Sequence, residues 1–397
     1  MKIAHIVRRF TFSEWGGTES VVWHIARQQK ARGLTPEILC TAALDKVGTE
    51  VGEGITIRRF PCFYPYFPMP AKDKLALDKK GGNPLAPELL KALKLGEYDI
   101  FHIHAGGRLA NYSMRLARQL AVPTVMSLHG GACAIPEQEM ALMLKPLKHK
   151  FSYGGIIDRL FRTRKAPESG ADVLLALSRE EVEKLQERYP GKKVELFPNG
   201  ILHRELPEAG DFRKKYNIPE DKKLLLCISR IDYQKNHKIL LELLKKYSDT
   251  HLLLIGPVTA QWYLEELLNE SGSAGVKERL TVIPGLAPDS VELLQALKTA
   301  YWFILPSRHE PFGIAALEAL DADAPVIASA VGGLKDFLVD GKNALLFEDN
   351  NIASLLEAYD KIELLRDDLI AGGKVTAQEY NWQSISERLT DIYRRLL

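Results

Sequence analysis

Two doubly wound α/β domains are what the pattern of this chain predicts, and three observations carry the expectation. Its 397 residues exceed one ordinary hydrophobic core. Short apolar runs alternate with amphipathic helical stretches through most of the length. A turn rich in Pro and Gly, residues 198–210, interrupts that alternation near the middle.

In the first half, "IAHIV", "TPEILC", "YDIFHIH", "VPTVMSL", "DVLLAL" and "KKVELF" read as buried parallel strands, with helices over residues 17–32, 109–119 and 179–188 among them. In the second half, "KLLLCIS", "HLLLIG", "LTVIPG", "YWFILPS", "APVIAS" and "ALLFED" repeat the theme, most of them separated by helices such as 238–246 and 289–300. Strand–helix alternation implies right-handed crossovers and parallel sheets covered on both faces. A cleft is expected between the two domains, with ligands outside the carboxyl ends of the strands.

Composition narrows the class. Charged content of 26% and a formal net charge of +2 offer no electrostatic case for nucleic acid. Cys40, Cys62, Cys133 and Cys227 are scattered without a CxxC pair, the pattern of reduced thiols in a cytoplasmic protein. "MKIAHIVRRF" is too brief for a signal sequence, and no apolar run reaches the roughly 18 residues of a membrane span. Two stretches break the α/β pattern: residues 58–74, rich in aromatics and proline, and 144–165, which mixes cations with Phe, Tyr, Ile and Leu. They would line an acceptor site, rest peripherally on the inner face of an anionic membrane, or simply cover a hydrophobic face with long cationic side chains.

The segment "RHEPFGIAALEAL" places Glu310 in a loop and Glu318 about a turn inside a helix that starts near Gly313. Between them lie the unpaired N–H groups of a helix N-terminus, an anion site. Two carboxylates flanking such a site suit a sugar–diphosphate–ribose molecule; a loop glutamate beside a helical one in an ordinary salt bridge is the plainer alternative. Gly16 and Gly17 follow the first strand and open the first helix, where the missing Cβ permits close backbone approach. No GxGxxG with a following acidic residue is present, which argues against a nicotinamide dehydrogenase. His129 stands at the carboxyl end of a buried strand. His102 and His104 share one strand face, a spacing that permits a metal pair, but no third ligand is visible nearby in sequence and both are read as structural.

Taken together, "EWGGTESVVWHIARQQKARG", "LHGG", "LFPNGI", "SRIDYQKN" and "SRHEPFGIAALEAL…APVIASAVGGLKDFLVDGKNALLF" resemble the retaining glycosyltransferases of family GT4, from Lys2 to the last helix. The resemblance implies a GT-B fold, two Rossmann-like domains facing a deep cleft. Because the family's last helix crosses back, it implies domains at 1–203 plus 381–397 and 204–380. It implies that Gly16 and Gly17 face the transferred group, that His129 meets the donor sugar, and that Arg230 and Lys235 offset the charge of a leaving diphosphate. Asn199, Pro284, Glu310, Phe312, Gly313, Ile314 and Glu318 would complete the donor site. Glu310 would grip sugar hydroxyls and Glu318 the ribose. "QKNH" departs from the commoner Lys-Gly after Lys235. No metal and no cofactor are expected: "DAD" at Asp321–Asp323 copies a metal-binding pair, but its place between helix and strand reads as a surface turn. The donor would be a UDP-sugar in the first instance, with GDP- and ADP-sugars open, and the acceptor a hydroxyl. A sugar-nucleotide epimerase or phosphorylase on the same architecture is the nearest rival, and an exported sugar-binding protein a more distant one.

Overall fold

The computed structural model describes residues 1–12, 17–79, 81–129, 144–160, 166–287 and 290–397. Two compact units emerge: Met1–Pro198 joined by Trp382–Leu397, and Asn199–Asn381.

The first unit is built on β1 (Lys2–Arg9), β2 (Thr35–Thr41), β3 (Gly48–Gly52), β4 (Ile55–Phe60), β5 (Tyr66–Phe67), β6 (Ile100–Ile103), β7 (Thr124–Ser127), β8 (Phe151–Ser152), β9 (Val173–Ala176) and β10 (Lys193–Leu196). Among the described residues its main sheet runs β10-β9-β7-β6-β1-β2-β4-β3, parallel throughout except where β3 turns back on β4. Period-2 alternation divides the core between the two faces. Leu39 packs with Ala4, Ile6, Phe101 and Ile103 on one side, while Ile38 and Cys40 pack with Val7 and Ile57 on the other. The helix Gly17–Ala31 covers the second face with Val22, Trp23 and Ala26.

The second unit is a sheet of β11 (Lys223–Ile228), β12 (Thr250–Ile255), β13 (Leu280–Ile283), β14 (Trp302–Leu305), β15 (Val326–Ser329) and β16 (Leu345–Phe347), in the order β13-β12-β11-β14-β15-β16. Among the described residues its strand pairings are parallel. Strands such as "THLLLI" are buried end to end, as expected where helices cover both faces.

Three features lie outside the sequence expectation. The β3–β4 hairpin extends the sheet edge with "GTEVG", which carries no apolar alternation. The two pattern-breaking stretches form one substructure: β5 pairs antiparallel with β8, and Lys150 forms an ion pair with Asp73 at 2.5 Å. The helix expected over 238–246 is a 3₁₀ turn, His237–Ile239, followed by an α-helix, Leu240–Lys246. No helix among the described residues is long and apolar enough to cross a membrane.

The closing helix, Trp382–Arg394, belongs to the first unit and buries Trp382, Ile385, Leu389, Ile392 and Tyr393 at helical spacing. It lies on the first helix: the Trp382 ring stacks on His24 at 5.4 Å, and Arg32 donates to the Gln383 carbonyl at 2.7 Å. Leu389 is fully buried there. Leu389→Ala is therefore expected to cost roughly 2–5 kcal/mol in the first unit. Chemical denaturation should show an earlier transition; an unchanged curve would contradict the packing of this helix as core.

Candidate active site

Loops at the carboxyl ends of β11 and β14 bring the charged residues of the second unit together. After β11, Asp232 caps the turn Tyr233–Lys235, its Oδ1 accepting from the Gln234 amide at 3.0 Å while Thr259 donates to Oδ2 at 3.0 Å. Asn236 then takes a left-handed conformation, φ 52°. That is the conformation glycine adopts freely and asparagine tolerates, so the departure from Lys-Gly leaves the turn intact. The turn sends Lys235 inward, where its Nζ lies 2.6 Å from Oε2 of Glu310. The two side chains are 10% and 12% exposed, so each charge depends on the other for the solvation it has lost. Ser307 donates to the same carboxylate oxygen at 3.4 Å, and the Arg308 amide donates to the Gln234 carbonyl at 2.8 Å, binding the two loops to each other. Arg230 is more open; it pairs with Asp232 at 3.3 Å and donates to Gln234 Oε1 at 3.2 Å.

Beside this pair the helix Ile314–Asp321 begins. Its N-cap is Gly313, φ 101°, which makes no side-chain cap to the first-turn N–H groups at the positive end of the helix. A Cβ at Gly313 would run into Leu334, and one at Gly332 (φ 50°) into the Glu310 carbonyl oxygen. The Gly333 amide donates to that same carbonyl at 3.0 Å. The glycine pair of "VGGLKD" is thus what lets this backbone lie against the Glu310 loop.

The remaining expected residues fall as follows. Phe312 is buried against Phe337 and Tyr380, ring centroids 5.3 and 6.1 Å away, so its side chain is engaged in the core. Ile314 is the first helical residue. Glu318, a turn further on, lies 3.4 Å from Arg204. Pro284 is exposed just past β13, and Asn199 is buried at the start of the second unit with no partner for its Oδ1 among the described residues. Gly17 opens the first helix, and a Cβ there would meet nothing within 4 Å among the described residues; Gly16 lies outside them. Asp321 accepts from His203 at 2.8 Å and Asp323 pairs with Lys374 at 3.0 Å, so each carboxylate of "DAD" already has a basic partner.

In the first unit His129 follows β7 with φ 50°, an uncommon conformation for a residue bearing a Cβ. It does not stand alone. His129 Nε2 is 3.0 Å from His104 Nδ1, His104 Nε2 is 3.0 Å from His5 Nδ1, and His5 Nε2 is 2.8 Å from Gln29 Oε1. His102 sits alongside, 2.6 Å from the Tyr393 hydroxyl and 2.8 Å from that of Ser127. Burial pulls His5 and His129 down from the ordinary 6.5 to about 4, and holds His102 and His104 well below it. His5 supplies the third imidazole that the sequence left unseen beside His102 and His104: one ligand atom from each lies within 4.8 Å of the others. These rings could hold a metal only by giving up hydrogen bonds that now satisfy both nitrogens of all three. Sequence reasoning also missed Asp232 and Gln234, whose work is to shape the Lys235 turn. Asp232 ahead of a short helical turn was the available signal.

Comparison with known proteins identifies the family. The family model described as Glycosyl transferase 4-like domain matches residues 16–200, and that described as Glycosyl transferases group 1 matches residues 209–392. The chain is 28% identical over 403 residues to D-inositol 3-phosphate glycosyltransferase 1 of Catenulispora acidiphila, covering 96% of this chain and 90% of that one. An uncharacterized glycosyltransferase of Methanocaldococcus jannaschii is 28% identical over 218 residues, 52% of this chain and 55% of that protein. HepE of Anabaena, solved with UDP, superposes over 100% of both chains with a TM-score of 0.73 at 17% identity. The chain belongs to the GT4-type glycosyltransferases of GT-B fold.

Two outcomes are expected of this geometry. Lys235→Met leaves the Glu310 carboxylate buried without its partner and should cost about 3–5 kcal/mol, whereas Lys235→Met with Glu310→Gln should recover part of that loss. A double-mutant cycle by denaturation checks this, and additive losses would contradict the pair. The histidines give a pH signature. Their folded values lie below 6.5, so the unfolded chain binds more protons as pH falls. Their contribution is fully present above about 6.5 and is lost as pH drops toward about 4, at up to about 1.4 kcal/mol per pH unit for each ring. Denaturation midpoints should fall as pH is lowered from roughly 7.5 to 4.5, and flat midpoints would contradict the buried neutral array.

Proposed function

We propose that this glycosyltransferase moves a hexose or N-acetylhexosamine from a nucleoside-diphosphate sugar to a hydroxyl acceptor with retention at the anomeric carbon and without a metal ion. The observation that carries the reading is the buried Lys235–Glu310 pair set beside the uncapped helix end at Gly313. A diphosphate arriving there meets the amides of Phe312–Ile314 at the helix start, the Lys235 ammonium and the more exposed Arg230. Because Lys235 is already balanced by Glu310, the resting site is close to neutral. The charge that grows on the leaving diphosphate is then met by Arg230 and the helix end as the anomeric C–O bond breaks.

Glu310 holds Lys235 in place through one carboxylate oxygen, Oε2. We assign its carboxylate to sugar hydroxyls, where it also favours positive charge on an oxocarbenium-like ring. Glu318 is assigned to the ribose, beside Arg204 at 3.4 Å. His129 is assigned to the transferred sugar. Attack by the acceptor on the face the diphosphate vacates gives retention without a covalent enzyme intermediate. UDP is the favoured nucleotide, supported by the complex of HepE with UDP; GDP- and ADP-sugars are the alternatives. Residues 58–74 and 144–165, which meet through β5 and β8, are candidates for the acceptor side.

A panel of UDP-, GDP- and ADP-sugars, read by hydrolysis without acceptor, should single out one nucleotide, and hydrolysis of none would contradict the donor class. Proton NMR of the early transfer product should show the donor's α configuration; a β product would contradict retention. Glu318→Gln should weaken donor and free nucleoside diphosphate together by roughly 1.5–3 kcal/mol, since the ribose is common to both. Unchanged calorimetric affinity for every nucleoside diphosphate would remove the ribose assignment.

A further inference from the structure

We propose that Gln29 is a positioning residue that fixes the tautomer of His129, acting through His5 and His104. The reasoning begins with hydrogen inventory. A neutral imidazole carries one N–H and one bare nitrogen, so a row of neutral imidazoles in mutual contact must all point the same way. The row here is continuous and enclosed: Gln29 and His5 are fully buried and His104 is 6% exposed. Burial keeps these rings uncharged, so the rule applies throughout.

Gln29 sets the direction. Its Oε1 faces His5 Nε2 at 2.8 Å and can only accept, so His5 carries its proton on Nε2. His5 Nδ1 is then bare and accepts from His104 Nε2–H at 3.0 Å. His104 Nδ1 is bare in turn and accepts from His129 Nε2–H, again at 3.0 Å. The result reaches the end of β7: His129 is the Nε2–H tautomer, and its Nδ1, outside the row, is a lone-pair acceptor suited to a sugar hydroxyl that donates.

The Gln29 amide is also coupled to a second set of contacts. Its Nε2 donates to the Tyr393 hydroxyl at 3.4 Å; that hydroxyl is 2.6 Å from His102 Nδ1, and His102 Nε2 is 2.8 Å from the Ser127 hydroxyl. With Tyr393 donating to His102 and His102 to Ser127, each of these contacts has one donor and one acceptor. The opposite tautomers would require the Gln29 amide to turn over and Tyr393 to reverse with it. A residue of the first helix and one of the last thereby select which nitrogen of His129 is bare. Register explains how residues so distant in sequence meet, since β1 pairs with β6 at His5↔His102. The functional weight of the proposal rests on the assignment of His129 to the donor sugar.

The test is long-range proton–nitrogen correlation NMR on the full chain labelled with ¹⁵N-histidine at neutral pH. His5, His104 and His129 should each show the proton on Nε2. Gln29→Met keeps the side-chain shape and removes the amide; in it the Nε2–H preference of His129 should weaken about fivefold, the population one neutral hydrogen bond controls. A wild-type His129 protonated on Nδ1 overturns the proposal, as does a folded Gln29→Met with His129 unchanged. If Gln29→Met does not fold, the wild-type spectrum decides alone. Turnover of His129→Ala, with whichever nucleotide sugar the wild type hydrolyses, separates the two layers. Normal turnover would remove His129 from the donor site while leaving the tautomer result to stand or fall by the spectrum.

Discussion

The ion pair between Lys235 and Glu310 is the constraint around which the second unit's loops are arranged. Two charges held mostly out of water are tolerated only where geometry is tight and the surrounding polar groups are satisfied. The structure meets that condition from several directions. Asp232 closes the turn that delivers Lys235, Ser307 donates to the Glu310 carboxylate, and Gly333 donates to the Glu310 carbonyl. Parallel strands make this possible, because β11 and β14 are neighbours in the sheet and release their loops at the same edge. Residues 75 positions apart therefore meet at 2.6 Å.

The first unit handles buried polarity in the opposite way. Instead of pairing charges, it keeps four imidazoles neutral and lets them satisfy one another with Gln29, Tyr393 and Ser127. A neutral row avoids the desolvation cost of ions and carries information about proton position instead of charge. The two devices suit the tasks assigned to them. Under the proposed function, the pair shapes the loops where Arg230 and the helix end would meet a diphosphate, while the row would present a defined hydrogen-bonding face to an uncharged sugar.

Much of the architecture was legible because parallel strands buried on both faces are written as continuous apolar runs. "HLLLIG" and "YWFILPS" lie where β12 and β14 form. What stayed hidden was short or edge-bound: β3 lies at a sheet edge with an exposed, mixed sequence, and β5 and β8 are two residues each. In the site, Glu310, Gly313 and Lys235 carry local signals in turn and helix chemistry. Their partnerships do not, since contact between Lys235 and Glu310 depends on strand order. His5 illustrates the same point. Nothing near "IAHIV" announces an imidazole row; pairing of β1 with β6 creates it. That the Gly332–Gly333 pair makes room for the Glu310 backbone is likewise visible only in the fold.

The central claim is that fixed protein charges and a helix end, and not a bound cation, meet the leaving diphosphate. The most direct measurement is the rate of nucleotide-sugar hydrolysis by the full chain before and after exhaustive treatment with EDTA. The account predicts that most of the activity survives and that added magnesium or manganese does not raise it. Loss of activity on chelation, restored by either ion, would contradict it.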